Sequence, residues 1–169
     1  GWEFEVRQKM GHFFKWMEGL SVGGNATLID SEVILPDNEV EQFAEKGFAQ
    51  NSRVMRNAPE HIYNFFLSYD ITDKTKYGLF YTVKGDTLIA GAGLSDNNYI
   101  PNVYETEHGA LNMSLVHKFN ENWAFKFQVK NILDPEIQTV YRSKFIDQDV
   151  VKTSYKKGVD FSFSITGTF

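Results

Sequence analysis

Phe119-Asn120-Glu121-Asn122-Trp123-Ala124-Phe125-Lys126-Phe127-Gln128-Val129-Lys130 is the most telling run in the chain. Trp123, Phe125, Phe127 and Val129 fall on one side of an extended strand, with Lys126, Gln128 and Lys130 on the other. Successive side chains of a strand point to opposite faces, so a period of two means a sheet with one apolar and one polar face. Asn120-Glu121-Asn122 supplies turn chemistry just ahead of it. The pattern repeats outward in both directions. Towards the C-terminus, Val159, Phe161, Phe163, Ile165 and Phe169 oppose Asp160, Ser162, Ser164, Thr166 and Thr168. Towards the N-terminus, Leu111, Met113 and Leu115 face away from Asn112 and Ser114, and Tyr77, Leu79, Tyr81 and Val83 away from Gly78, Thr82 and Lys84. Tyr63, Phe65, Leu67 and Tyr69 oppose Asn64, Phe66, Ser68 and Asp70, while Leu20, Val22, Ala26 and Leu28 oppose Ser21, Gly23, Asn25 and Thr27. The first row is Trp2, Phe4, Val6 and Met10 against Glu3, Glu5, Arg7 and Lys9. Seven sequential antiparallel strands are expected, over 2–10, 20–35, 60–71, 75–89, 106–118, 122–131 and 158–169. Each approaches the ~9–11 residues that cross a bilayer at a tilt.

The connections sharpen this. Residues 11–19, 72–75 and 119–122 are short joins, whereas 36–59, 90–105 and 132–157 are long, polar and punctuated by Pro36, Pro59, Pro101 and Pro135. Short and long alternate strictly. Compact domains rarely carry several loops longer than ~12–15 residues. An antiparallel outer-membrane barrel has short turns at one end and long loops at the other. Val40, Phe43, Ala44 and Phe48 follow helical spacing, so a helical turn is expected within 36–59.

Composition narrows the classes. The chain has 169 residues, 17 Lys+Arg against 22 Asp+Glu, a net charge of −5, and 15% aromatic residues. With no Cys, disulfide frameworks, thiolate zinc sites and Cys nucleophiles are excluded. The acidic balance and the lack of a basic run disfavour nucleic acid as a partner. No apolar run approaches the ~20 residues of a membrane-spanning helix. A mean hydropathy of −0.35 looks soluble, yet an alternating membrane barrel averages itself towards neutrality. The first residues, Gly1-Trp2-Glu3-Phe4-Glu5-Val6-Arg7, already lie inside an alternating pattern, without a Met or a signal-like leader. The expectation is a piece of something longer.

Two architectures compete for this pattern. In a water-soluble β-sandwich, acting as a binding or adhesive module, the apolar rows are a dry core. In a membrane barrel they face lipid, and the aromatic residues form a girdle at the membrane–water interface. Trp16, Tyr69, Tyr77, Phe119, Trp123 and Phe169 all sit beside a short join or the C-terminus, which favours the girdle. The opposite face carries Glu3, Glu5, Arg7, Lys9, Lys84, Lys126, Lys130 and Asp160. Charges at this density need water or polar partners, so a large barrel with a wet or plugged lumen is expected.

Five segments, in order, carry a family resemblance. They are Gly1-Trp2-Glu3-Phe4-Glu5-Val6, Gly24 to Val33 with its Asn25-Ala26-Thr27, Asn57-Ala58-Pro59-Glu60-His61, Asn131-Ile132-Leu133-Asp134-Pro135, and Gly158 to the terminal Phe169. The chain resembles the C-terminal part of the β-barrel of TonB-dependent outer-membrane receptors over essentially its whole length. Gly167 stands where that family often has an apolar residue. The resemblance implies an all-β, antiparallel transmembrane segment of a barrel of about 22 strands, with 1–169 as one unit and the plug and N-terminal strands outside it. It also implies a Gram-negative outer membrane, import of a scarce ligand such as a ferric siderophore, and energy from TonB acting on the plug. Implied partners are the rest of the receptor, the bilayer, and the barrel-assembly machinery reading a last strand that ends in Phe169.

No enzymatic constellation is expected. His12, His61, His108 and His117 are scattered without metal-ligand spacing, and no Gly-x-Ser-x-Gly elbow occurs. Asp96-Asn97-Asn98 lacks the Gly and Glu of a calcium loop. Gly91-Ala92-Gly93 lacks the setting of a phosphate loop. No cofactor or metal is implied. The candidate ligand contacts are Arg53, Arg56, Tyr99, Tyr104, Tyr141 and Arg142 in the long loops, since Arg and Tyr answer anionic and aromatic groups by charge-assisted bonds and stacking.

Overall fold

The computed structural model describes residues 1–168; the expectations on Phe169 lie outside the described residues. In chain order the elements are Trp2–Lys9 (β1), Leu20–Leu28 (β2), Val33–Ile34 (β3), Asp37–Glu45 (α1), Ser52–Arg53 (β4), His61–Thr72 (β5), Thr75–Lys84 (β6), Thr87–Ala90 (β7), Gly93–Ser95 (β8), Asn98–Ile100 (β9), Asn102–Glu105 (β10), His108–Lys118 (β11), Trp123–Lys130 (β12), Ile137–Arg142 (β13), Val150–Tyr155 (β14) and Asp160–Gly167 (β15). Strands β1, β2, β5, β6, β11, β12 and β15 form one seven-stranded antiparallel sheet in sequential order. It is open: among the described residues β1 pairs only with β2, and β15 only with β12.

Register carries the alternation across the whole sheet. Val22, Leu67, Leu79, Met113, Val129 and Phe161 lie in one row from β2 to β15. Residues directly opposite in a ladder share a face, so Tyr81, Phe125, Phe127, Phe163 and Ile165 join that side. The other side holds Glu3, Glu5, Arg7, Lys9, Thr82, Lys84, Lys126, Gln128, Ser162 and Ser164. There Thr82 Oγ1 donates to Asn64 Oδ1 and Asn64 Nδ2 donates to Asn25 Oδ1, stitching three strands. Phe66 and Phe80 interrupt this polar face, with Arg7 4.8 Å above the Phe66 ring.

The apolar side is not a core. Phe65 is 56% exposed, Phe161 66% and Phe163 64%, so the dry interior that the sandwich reading requires is absent from these rows. No helix among the described residues is long and apolar enough to cross a membrane.

Two expectations need correction. The expected strand 20–35 stops at Leu28, and Val33–Ile34 pairs with β4 in a separate ribbon. The expected strand 75–89 breaks at Gly85-Asp86, where Asp86 Oδ1 accepts from Glu107 N and Thr87 Oγ1 donates to the Gly85 carbonyl. The chain beyond them enters a second sheet of order β14-β13-β10-β7. The long connections thus carry strands of their own, and the first also a helix. Each of these four strands abuts, along the chain, one of the last four strands of the large sheet, so the second sheet continues the first past the break.

The helical spacing in the first long connection becomes α1. Asp37 and Glu39 in its first turn suit the positive end of the helix dipole. It ends at Gly47, which takes a φ of +81 while Gly47 N bonds Ala44 O and Phe48 N bonds Phe43 O. Phe43 is buried beneath it with Leu35 and Ala92. Among the described residues, Val129 is the one buried hydrophobic residue of the large sheet; Leu35, Phe43, Leu88, Ala92, Val103, Ile137 and Val140 belong to the long connections and the second sheet. The packed core sits beyond the sheet's end.

Candidate functional site

The three long connections converge into one cap over that end. Tyr99 on β9 stacks on Phe48 with ring centroids 4.1 Å apart and meets Phe43 and Phe145 edge-on. Its hydroxyl shares a 3.0 Å hydrogen bond with Ser143 Oγ. Lys144 Nζ donates to the Ala49 carbonyl at 2.8 Å, tying the third connection to the first. Tyr99, expected as a ligand contact, packs within the cap against Phe43 and Phe48 of the first connection and Phe145 of the third.

Arg142 at the end of β13 anchors a second cluster. Its Nε and Nη2 donate to the Asp149 carboxylate and its Nη1 to Asp86 Oδ2 at 2.6 Å. The guanidinium also lies 4.8 Å over the Tyr104 ring. Bonding to Asp149, reinforced by Asp86, lifts its already high pKa further, against the cost of partial burial. Burial raises the Tyr104 pKa above 10.0; Arg142 opposes the rise and Glu60 and Asp86 add to it. Arg142 and Tyr104, each expected as a ligand contact, lie together, with the guanidinium over the ring.

Arg56 Nε donates to the Ile89 carbonyl at 3.0 Å, and Lys152 Nζ sits 5.3 Å over the Tyr141 ring. Arg53 on β4 reaches Glu39 only at 3.8 Å and borders a hollow of about 230 Å³ with Gln42, Phe43, Ala92, Gly93 and Leu94. The single-letter pattern could not single out Asp86 or Ser143, since each gains its role from a contact far along the chain, with Arg142 and Tyr99 respectively. At the junction of the two sheets, His61 Nε2 and Glu107 Oε2 are 2.8 Å apart, and Lys84 Nζ donates to Glu105 Oε1. Among the described residues no three His, Asp or Glu side chains gather into a metal-holding group.

At the opposite end lie Trp16, Tyr69, Tyr77, Phe119 and Trp123, the described members of the expected interface set. Tyr69 pairs directly with Tyr77 across β5 and β6, and Phe119 and Trp123 flank the join between β11 and β12. Trp16, 76% exposed, stands in a 3₁₀ turn between β1 and β2 and lines a shallow apolar recess with Met17, Leu20, Leu67, Tyr69 and Tyr77. Phe13 and Phe14 are also exposed there. Their signal is the aromatic run Phe13-Phe14-Lys15-Trp16, in which the letters alone point only to Trp16.

This arrangement has a counterpart among solved structures. The chain is similar to the crystal structure of the ferric enterobactin receptor PfeA of Pseudomonas aeruginosa, a doubly substituted form, with a TM-score of 0.63. The likeness is one of fold. Identity is 14%, and the match covers 99% of this chain but 22% of that receptor, so the chain spans under a quarter of its counterpart's length. No family model and no curated protein sequence matches the chain.

Proposed function

We propose that this chain is the C-terminal portion of an outer-membrane receptor barrel that binds and imports a ferric siderophore or other iron complex, energised through TonB. The observation that carries this reading is the apolar face of the large sheet. Seven strands share one largely apolar side, with aromatic residues at the short-join end and a folded cap at the other. In water, a contiguous exposed apolar face of this extent is an aggregation hazard; in a bilayer it is the required surface. The fold likeness to a ferric enterobactin receptor supports the ligand class.

On this reading the polar face lines a lumen occupied by a plug, and the edges of β1 and β15 pair with further strands of the same barrel. Bare edges of this length invite promiscuous pairing. The cap faces the outside and presents the ligand contacts, drawn from Arg53, Arg56, Tyr99, Tyr104, Tyr141 and Arg142. The assembly machinery reads the last strand.

Cell fractionation and growth test the reading. The polypeptide carrying this chain should sediment with the outer membrane, migrate differently on gels before and after boiling, and support growth on a ferric catecholate when iron is scarce. Recovery as a monodisperse soluble protein in detergent-free buffer would overturn it.

A further inference from the structure

The join between β1 and β2 is unlike the other two at its end of the sheet. Residues 73–74 and 119–122 close their hairpins directly, whereas the chain between Lys9 and Leu20 makes two 3₁₀ turns, Met10–His12 and Lys15–Met17. Gly11 lies against Glu18, where a Cβ would come within 3.1 Å of the Glu18 Cα, so the two turns fold back on each other. The loop between them carries Phe13, Phe14 and Trp16, which are 62%, 49% and 76% exposed. Rings left this open at the end of an apolar face suit the level where lipid meets water.

Two concavities meet at this join. On the apolar side is the recess beside Trp16, of about 390 Å³. On the polar side is a hollow of about 740 Å³, bordered by Lys9, His12, Lys15, Glu18 and Asp70. Leu20 lines both. The hollow carries both signs of charge. Asp70 is taken by Lys76 at 3.2 Å, but the side chains of Lys9, Lys15 and Glu18 form no hydrogen bond or ion pair with any described residue. Charges in water need no protein partner. What sets these apart is that two cations and an anion border one hollow, and that the hollow meets an apolar recess.

We propose that the join binds one phospholipid with a zwitterionic amine headgroup, of the phosphatidylethanolamine class. An acyl chain lies in the recess against Trp16 and Leu20, the phosphate is held by Lys9 and Lys15, and the ammonium donates to Glu18. A purely anionic headgroup leaves Glu18 facing a like charge, and a quaternary amine has no N–H to donate. The lysines attract any lipid phosphate; Glu18 chooses among headgroups. The proposal rests on the receptor reading only for the presence of a bilayer at this end of the sheet.

The test uses the polypeptide carrying this chain, labelled with fluorotryptophan and kept in a non-ionic detergent. The Trp16 fluorine signal is assigned by its absence from Trp16→Phe. Phosphatidylethanolamine, phosphatidylcholine and phosphatidylglycerol are each mixed into the micelles. In wild type the ethanolamine lipid should shift that signal saturably, at a mole fraction about threefold below that needed for either of the others, the range of one exposed ion pair. Glu18→Gln should bring the ethanolamine and choline lipids to one midpoint, and Glu18→Asp should keep them apart. Lys9→Gln combined with Lys15→Gln should weaken all three lipids, the glycerol lipid most. Equal midpoints for the ethanolamine and choline lipids in wild type, or a preference that survives Glu18→Gln, overturns the proposal. So does a Trp16 signal indifferent to all three, or an equal shift from water-soluble glycerophosphoethanolamine, which has the headgroup without the chains. Retained heat-modifiable migration checks that each variant is folded, and where one is not, the wild-type comparison decides alone. In each of these failures the receptor reading stands as long as the protein needs detergent. A protein monodisperse without detergent overturns both, since no leaflet then lies at the join.

Discussion

The large sheet and the cap bury opposite things. In the sheet, Phe65, Phe161 and Phe163 are mostly exposed, and its side-chain order comes from cross-strand pairs and a polar ladder on the other face. In the cap, Phe43 and Leu88 are 3% and 1% exposed, packed as a small soluble core. One sequence thus contains an enclosed apolar cluster and an exposed apolar face. Water-driven burial stabilises the cap at ~25 cal/mol per Å² of apolar area; the sheet's apolar face gains that term only if something other than water covers it.

Truncating the cap's core should give the largest effect. Phe43→Ala removes a fully enclosed ring contacting Leu35 and Ala92, with an expected local cost of ~3–5 kcal/mol. That is enough to open a unit of this size on its own. Proteolysis should then nick residues 36–59 and 132–157 rapidly, while the heat-modifiable band of the sheet stays put. A single joint melting of cap and sheet would break the comparison.

The sheet is probed by charge. Phe65→Arg on the apolar face should cost ~2–4 kcal/mol if that residue faces the bilayer middle. On a water-facing surface the same change would stay within ~0.5 kcal/mol. Ser162→Arg, on the opposite face, is the matched comparison. Urea unfolding of the protein folded into lipid vesicles separates these outcomes, and equal small effects would sink the membrane reading.

How far the sequence was legible follows from the same contrast. Period-two alternation survives as strands because neighbours in a sheet read the same face; the rows from Leu67 to Phe161 were therefore visible in the letters. The faces of Lys126 and Phe127 were visible too. Breaks were not. Gly85-Asp86 interrupts a run that still alternates, and the reason lies in Glu107, over twenty residues away. The cap's partners were hidden for a similar reason: Tyr99 meets Phe48 and Phe145 only after three connections fold over one another. An exposed-looking Arg in a polar loop reads alike whether it ends on Asp149, as Arg142 does, or beside a hollow, as Arg53 does.

A subtler probe concerns the polar face. A Cβ at Gly23 would lie 2.6 Å from the Val6 carbonyl oxygen and would also meet the Phe66 ring. The backbone atom cannot step aside as a flexible side chain would. Gly23→Ala should therefore cost ~1–3 kcal/mol and loosen β1 from β2, seen as faster hydrogen exchange along Trp2–Lys9 than along β12. Unchanged exchange would mean that β1 is held from its other edge.

The smallest effect expected is a pH dependence confined to the cap. Burial raises the Tyr104 pKa above its ordinary 10.0 in the folded chain, with Arg142 opposing. The neutral phenol is thus the form that folding prefers. A group whose folded pKa is raised contributes stability that is complete below the unfolded pKa and is lost as pH climbs through the folded one. The cap should hold up to about pH 10 and then open progressively, while the large sheet does not respond to this residue. Other tyrosines and lysines titrate in the same range, so the comparison must be a difference. Tyr104→Phe keeps a ring beneath the Arg142 guanidinium and removes the ionisable oxygen. Measured as the nicking rate of residues 132–157 at about pH 9 and about pH 11, the rise should be steeper in wild type than in Tyr104→Phe. Equal slopes would remove Tyr104 as a source of the cap's alkaline lability, and a matching change in the sheet would mean that cap and sheet are one cooperative unit after all.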